Sequence, residues 1–379
     1  MRLLLVITRL DGGGMERFCA TLCNTFAEQG RECTLCALYP SAPGGSREWV
    51  LAAVGYVELN RPARYAAPAL MRLCRSRPGD PVLALGVEIC AVLVTLKRLG
   101  LIRNPVLYRE STAVLAHCTP FWKWVIRRFV SGADGLIVQS RQALADLGQL
   151  FEVRQPVRLI RNPCALLNLG DAGGCSLPPA GRPLRLLSVG RLDGMKGHER
   201  LLDAVPGLLC RFPGIRLSIA GKGALGEQLK EKAGKLGLQD CVTWLGFVQD
   251  TARLYREADL LVLPSFYEGL PNVLIEALAM GCPIVAAAGE GGTREFMEEL
   301  GLGAFLVEGD FVSELPLAVE RVLASDMRIW EEARRRLRQM VAPERVADQV
   351  WAFLEEVSPN EPNEAKWRRC HRMNRMKRR

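Results

Sequence analysis

The chain has 379 residues, enough for two domains with complete cores, and its 49% hydrophobic and 24% charged residues suit a globular protein rather than a fibrous or disordered one. The formal charge of +9 is unevenly spread. Residues 360–379 hold eight Lys and Arg against Glu361 and Glu364, a net of +6, which leaves +3 for everything before them and argues against a nucleic-acid-binding body.

The first apolar run, RLLLVIT (2–8), is too short for the core of a secretory signal and passes straight into the glycine-rich turn LDGGGMER. Helical ERFCATLCNTFAEQG follows, and the runs ECTLCALY, PVLALG, PVLYRE and GLIVQS repeat the sequence of strand then helix. The stretch VLALGVEICAVLVTL is interrupted by Glu88, so it reads as strand and helix rather than as a membrane span. A segment rich in Gly and Pro separates this series from a second one, LRLLSVG (184–190), IRLSIAG, VTWLG, LLVLPS and PIVAAA. Strands apolar on both faces, alternating with helices, imply parallel sheets covered on both sides. The expectation is an α/β chain of two Rossmann-like, doubly wound domains, 1–165 and 184–340, joined by a linker over 166–183. PERVADQVWAFLEEV supplies a last helix within 341–358, and 359–379 read as a disordered basic tail. Doubly wound sheets bind ligands at the carboxyl ends of their strands, so two such sheets place a site in the cleft between them.

Thirteen cysteines, most of them in apolar runs, indicate buried thiols in a reducing, cytoplasmic compartment. Cys33 and Cys36 have redox spacing but no second Cys/His pair nearby to complete a metal site, so they are expected to be packing residues.

Four motifs carry chemistry. GKGALG (221–226) matches the dinucleotide fingerprint literally, but it lies in the middle of the second series and no acidic residue closes the next strand. At the first strand, Gly12 and Gly14 fit that fingerprint while Arg17 stands where the third glycine belongs. GGGMER has another use: it lets backbone approach a ligand and offers the amides of the next helix to an anion. In SVGRLDGMKGHERLL, Arg191 and Lys196 follow a strand end among three glycines, a guanidinium and an ammonium suited to a diphosphate. In LPSFYEGLPNVLIE, Pro271 marks the start of a helix. Glu268 then precedes the helix, Glu276 lies in its second turn, and the amides of Gly269 and Leu270 can meet phosphate oxygens.

Together, GRLDGMKGHERLL, LVLPSFYEGLPNVLIEALAMGCPIVAA with its two glutamates eight apart, GGTREF, the first-strand GGGMER and IRNP (160–163) resemble family 4 of the retaining glycosyltransferases. The resemblance runs to about residue 357. It implies the GT-B fold, two Rossmann-like domains facing across a cleft, and transfer of a sugar from a nucleotide sugar to an acceptor hydroxyl with retention at the anomeric carbon. It implies no metal and no cofactor, in keeping with thirteen aspartates and no Asp-x-Asp among them. By the same resemblance Arg191 and Lys196 would hold the diphosphate and stabilise the leaving nucleotide, Glu268 would contact the donor sugar, and Glu276 the ribose. Gly269 and Leu270 would hold phosphates, Gly13 and Gly14 would close over them, and Val248 would lie by the base, which family frequency makes UDP rather than GDP. Many relatives carry a histidine at a strand end of the first domain. Here VLYREST places Glu110 there, favoured over His117 as the residue that positions the acceptor.

The acceptor implied is a glycan or lipid-linked glycan of a bacterial surface polysaccharide or lipopolysaccharide, with the enzyme cytoplasmic or peripheral on the inner face of the membrane. Two other readings stay open: a GT-B-fold sugar-nucleotide epimerase and a non-catalytic sugar-nucleotide-binding protein. Two segments bear on the membrane. FWKWVIRRFV (121–130) reads first as an amphipathic helix packing ahead of GLIVQS, and the basic tail, with Trp367, is the stronger membrane signal.

Overall fold

The computed structural model describes residues 1–11, 13–40, 46–110, 119–168, 175 and 182–358. His117, most of the linker and the basic tail lie outside these residues.

Seven parallel strands form the first sheet: β1 (Leu3–Ile7), β2 (Cys33–Ala37), β3 (Gly55–Glu58), β4 (Val82–Leu85), β5 (Val106–Arg109), β6 (Gly135–Val138) and β7 (Val157–Leu159), in the order β3-β2-β1-β4-β5-β6-β7. Strand side chains alternate between faces, and both faces here are covered. Leu4 and Val6 of β1 enter one apolar core, while Leu3, Leu5 and Ile7 enter the other. The same alternation parts Cys36 from Cys33, whose Sγ lies 3.2 Å from that of Cys23 on the first helix (Gly14–Glu28).

The second sheet contains β8 (Arg185–Val189), β9 (Arg216–Ala220), β10 (Val242–Gly246), β11 (Leu260–Leu263), β13 (Ile284–Ala287) and β15 (Leu306–Val307), in the order β10-β9-β8-β11-β13-β15. Two short strands, β12 (Tyr267–Glu268) and β14 (Glu290–Gly291), pair beside it. Strand order reverses between β1 and β4 in the first sheet and between β8 and β11 in the second. Each reversal opens a crevice at the carboxyl ends of the strands. The loops that leave β1, β8 and β11 there are GGGMER, GRLDGMKG and PSFYEGLP.

The last helix, Pro343–Val357, buries Val346, Ala347, Val350, Phe353 and Leu354 in the core that holds Leu3, Leu5 and Phe18 of the first domain. Polar contacts also join the two halves. Buried Arg161 donates to Glu295 at 3.0 Å and to Glu299 at 2.6 Å, both on the helix Thr293–Glu299. The amide of Arg141 donates to Glu295 at 2.8 Å. Among the described residues, no helix is long and apolar enough to cross a membrane.

Candidate functional site

The β8 loop reaches the β11 loop because of three close fits. Asp193 accepts from the amides of Met195 and Lys196, at 3.1 and 3.2 Å, and so caps the short turn Gly194–Lys196. Gly197 has φ +66°, and a Cβ there would lie 2.0 Å from the carbonyl oxygen of Pro264, so only glycine allows this approach. Arg200 then donates to the carbonyls of Pro264 and Ser265, at 2.7 and 2.8 Å, with its guanidinium 3.9 Å above the ring of Phe266. The outcome is a direct bond between two residues far apart in sequence. Lys196 Nζ donates to Glu268 Oε1 at 2.6 Å, and Ser265 Oγ donates to the same oxygen at 2.7 Å. The backbone of Glu268 is held from the other side, since its carbonyl accepts from Gly292 at 2.8 Å. Gly291, at φ +99°, passes so close that a Cβ would stand 2.1 Å from that carbonyl oxygen.

Arg191 is not gathered into this contact. Its side chain is 74% exposed and meets Asp193 at 3.4 Å. Its charge also acts on Glu16 of the first domain, whose carboxyl is raised from its ordinary value, chiefly by burial.

Opposite, the helix Asn272–Ala279 starts one residue after Pro271. Its amino end meets the amino end of the helix Gly14–Glu28: a Cβ on Gly14 would lie 2.4 Å from Asn272 Nδ2. Asn162 Nδ2 donates to Asn272 Oδ1 at 2.5 Å, and Arg109 donates to Asn162 Oδ1 in turn. Two positive helix ends therefore converge from the two domains, a pair of anion-attracting termini a few residues from Gly269 and Leu270. Gly13 caps its helix in extended conformation, with Glu16 folded back against it.

Glu276 is 8% exposed, and its carboxylate is fully engaged. Oε1 accepts from Arg17 Nη1 at 2.7 Å, and Oε2 accepts from Tyr255 at 2.8 Å and Thr251 at 3.3 Å. Arg17 also lies 3.5 Å from the carbonyl of Gln249, the neighbour of Val248. A cavity of about 360 Å³ lies beside this pair, lined among others by Gly14, Arg17, Asn162, Gln249, Asn272 and Glu276. Arg17, Asn162 and Asn272 are thus central contacts that motif reading passed over. All three stand inside segments it singled out: GGGMER, IRNP and GLPN.

Glu110 is 2% exposed at the end of β5, accepts from the Tyr108 hydroxyl at 2.7 Å, and its backbone carbonyl accepts from Gln139 at 2.9 Å. Its charge reaches across to Tyr267, whose hydroxyl is pushed up mainly by burial and then by the carboxylates of Asp146, Glu110, Glu290 and Glu268. Beside it, burial brings the Arg109 guanidinium down to about 10, with the group 3.7 Å over the Phe18 ring. Among the described residues, no three His, Cys, Asp or Glu side chains cluster as a metal site requires.

Residues 176–341, the second sheet with its helices, match the family model described as "Glycosyl transferases group 1". Over those residues the chain is similar to the group 1 glycosyltransferases. The fold agrees across its length: an Anabaena protein, HepE, solved in complex with UDP-glucose, superposes with a TM-score of 0.75 over 94% of this chain and 99% of that one, at 19% identity. This is a GT-B chain, as the motif resemblance to family 4 implied. Curated relatives align over less. A glycosyltransferase of Haemophilus influenzae is 37% identical over 34% of this chain and 36% of its own length. An N-acetylgalactosaminyltransferase of Campylobacter jejuni, named for a diacetylbacillosaminyl-diphospho-undecaprenol substrate, is 30% identical over 54% of each. The matches thus span about half or less of these glycosyltransferases.

Proposed function

We propose that this chain is a group 1 glycosyltransferase that moves a sugar from a UDP-sugar to a hydroxyl of a glycan or lipid-linked glycan, with retention and without a metal, in the assembly of a bacterial surface polysaccharide or lipopolysaccharide. One observation carries the reading: Lys196 and Glu268, brought together at 2.6 Å, stand at the strand ends bordering a cleft where two helix amino ends converge. An anion with a sugar attached fits such a place. The solved HepE complex with UDP-glucose and the polyprenol-diphosphate named for the Campylobacter relative support the classes of donor and acceptor.

In this reading the diphosphate lies at the two helix ends. Lys196 turns part of its charge from Glu268 to the leaving phosphate, and Arg191 swings in from solvent, so that two cations supply the charge a metal supplies elsewhere. The bond from the anomeric carbon to the diphosphate oxygen breaks, and the acceptor oxygen bonds that carbon on the same face. The acceptor proton passes to the departing diphosphate oxygen. Glu268 holds the sugar, and Glu276 takes the ribose once Arg17 gives way. The amides of Gly269 and Leu270 bind phosphate, with Gly13 and Gly14 closing from the first domain and Val248 beside the base. Glu110 positions the acceptor. The site works at the cytoplasmic face of the membrane.

The test has two stages. Thermal shift against a panel of UDP- and GDP-sugars identifies the donor, since a ligand bound only by the native state raises its melting point. With that donor, Glu268→Ala should abolish most transfer while the fold persists, EDTA should leave turnover unchanged, and NMR of the product should show the donor's anomeric configuration. An inverted product, or donor consumed to an epimer without acceptor, would overturn the reading.

A further inference from the structure

The near-neutral sum over the body conceals a strong separation of charge. Between Arg61 and Gly132 the sequence has twelve Lys and Arg against Asp80, Glu88 and Glu110, a net of +9. Set beside the +6 of the tail, the rest of the chain is net acidic. Helices from this basic stretch cover one face of the first sheet: Ala63–Arg75, Val87–Arg98 and Pro120–Phe129 all bury their apolar sides in one core.

The helix Pro120–Phe129 packs through Val125 and Ile126, as an ordinary amphipathic helix should, yet this accounts for only part of its apolar surface. Phe121 is 61% exposed and Trp124 56%. Their rings lie 6.3 Å apart at 28°, and Trp124 meets Phe129 edge-on at 6.1 Å. Cations rim this aromatic cluster. Arg98 and Arg128 stand 5.8 and 5.7 Å from the Phe129 ring, and Arg98 donates to the carbonyl of Arg128 at 2.9 Å. Lys123 and Arg127 belong to the same helix. Among the described residues none of these four cations has a carboxylate at ion-pair distance, whereas neighbouring Lys97 is paired with Asp134. Tyr65, 60% exposed near the start of the helix Ala63–Arg75, adds a third open ring at the start of a helix on the same face. Both of these helices follow connections from carboxyl ends of strands, so their amino ends lie toward the end of the sheet that faces the cleft.

We infer that this face docks on an anionic lipid bilayer, with Phe121 and Trp124 in the interfacial layer and Arg98, Lys123, Arg127 and Arg128 against the headgroups. Aromatic rings prefer the membrane interface, and unpaired cations are drawn to anionic lipid. A nucleic-acid surface is less well matched, because the exposed rings of Phe121 and Trp124 stack on each other and so cover part of the faces that bases would use. Docking in this way turns the first-domain side of the cleft toward the bilayer, where a lipid-linked acceptor would be presented. The surface stands apart from the donor site, so its failure leaves the reading of that site untouched.

The test is co-sedimentation of the full chain with vesicles of phosphatidylcholine alone and with 30% phosphatidylglycerol, together with quenching of tryptophan fluorescence by brominated lipid. The native chain should bind the anionic vesicles, weaken at high salt, and show quenching. Phe121→Ser/Trp124→Ser should lower partitioning at least tenfold and remove most quenching. Arg98→Gln/Arg128→Gln should lower it several-fold while retaining the salt-independent part. Both variants replace exposed groups, so circular dichroism and the donor-induced melting shift should stay as in the native chain. Undiminished vesicle binding by both variants would assign the contact to another part of the chain. Binding to an oligonucleotide but not to anionic vesicles would make the partner a nucleic acid. Either result overturns the inference.

Discussion

Replacing Lys196 with alanine removes one charge and one hydrogen-bond donor from a largely enclosed polar contact of the cleft. Its side chain is largely shielded, as is that of Glu268, so screening by water is incomplete. Two unit charges about 4 Å apart at the effective dielectric of a protein site interact by roughly 4 kcal/mol. Removing one preorganised donor from a developing anion costs roughly 3–4 kcal/mol in other enzymes, or about 100- to 1,000-fold in kcat. Lys196→Ala is therefore expected to lower kcat by that factor, measured as UDP release in the presence of acceptor with the donor that gives the largest melting shift. KM for the donor should rise less than kcat falls, because the leaving group gains most of its charge in the transition state. Lys196→Arg should recover a part, since it restores charge but cannot place a planar guanidinium where an ammonium sits 2.6 Å from Oε1. Turnover by Lys196→Ala within threefold of the native chain, with the fold intact, would refute the assignment.

Other expectations follow from contacts already described. Arg17→Ala frees Glu276 Oε1, and UDP should bind at least threefold more tightly by calorimetry; weaker binding would mean that Arg17 supports the nucleotide instead of yielding to it. Gly291→Ala forces a side chain into φ +99° and against the carbonyl of Glu268, which should cost at least about 2 kcal/mol, or roughly 6 °C in melting temperature, and a matching loss of activity. His198 is buried beside Lys196, and burial first, then that ammonium, brings it from 6.5 to about 4. Above 6.5 the ring is neutral in folded and unfolded chain alike. As pH falls from 6.5 toward 4 only the unfolded chain takes up the proton, and stability should drop by up to roughly 3 kcal/mol. A His198→Leu chain should show a shallower acid slope in melting temperature over that window, and an unchanged slope would exclude this histidine as the cause.

The strands that were legible in the sequence are those buried on both faces. RLLLVIT, PVLALG and LLVLPS show unbroken apolar runs because helices cover both sides of the sheets. The edge strand β3 (GYVE) and β7 (VRL) are partly exposed and too short and mixed to carry that signal. The paired strands β12 and β14 have two residues each and depend on glycines meeting carbonyls across the sequence. In the site, Lys196 and Glu268 were recognisable by motif, but their bond requires Gly197 and Arg200 to dock on Pro264 and Ser265, which no local pattern encodes. The Arg17–Glu276 pair joins positions 259 apart. In FWKWVIRRFV the helical period marked an apolar stripe, yet it could not say that Val125 and Ile126 fill the interior while Phe121 and Trp124 stay outside, because there were more large apolar side chains than the stripe could bury.

The return of the helix Pro343–Val357 to the first domain has a consequence for synthesis. Chains emerging from the ribosome usually complete their domains from the amino end. Here the first domain lacks five of its innermost side chains until residue 354 has been made, whereas the second sheet already possesses all its strands by residue 307. The second domain is thus able to finish first, and the half translated earliest must wait, partly open, until the helix Pro343–Val357 has been made. The crossing is fastened where the outgoing and returning segments touch, through the amide of Cys164 donating to the carbonyl of Val341 at 2.9 Å. A stop codon just ahead of the helix Pro343–Val357 would leave the second sheet whole and strip the first of its closing seam, with Leu3, Leu5 and Phe18 open to chaperones and proteases.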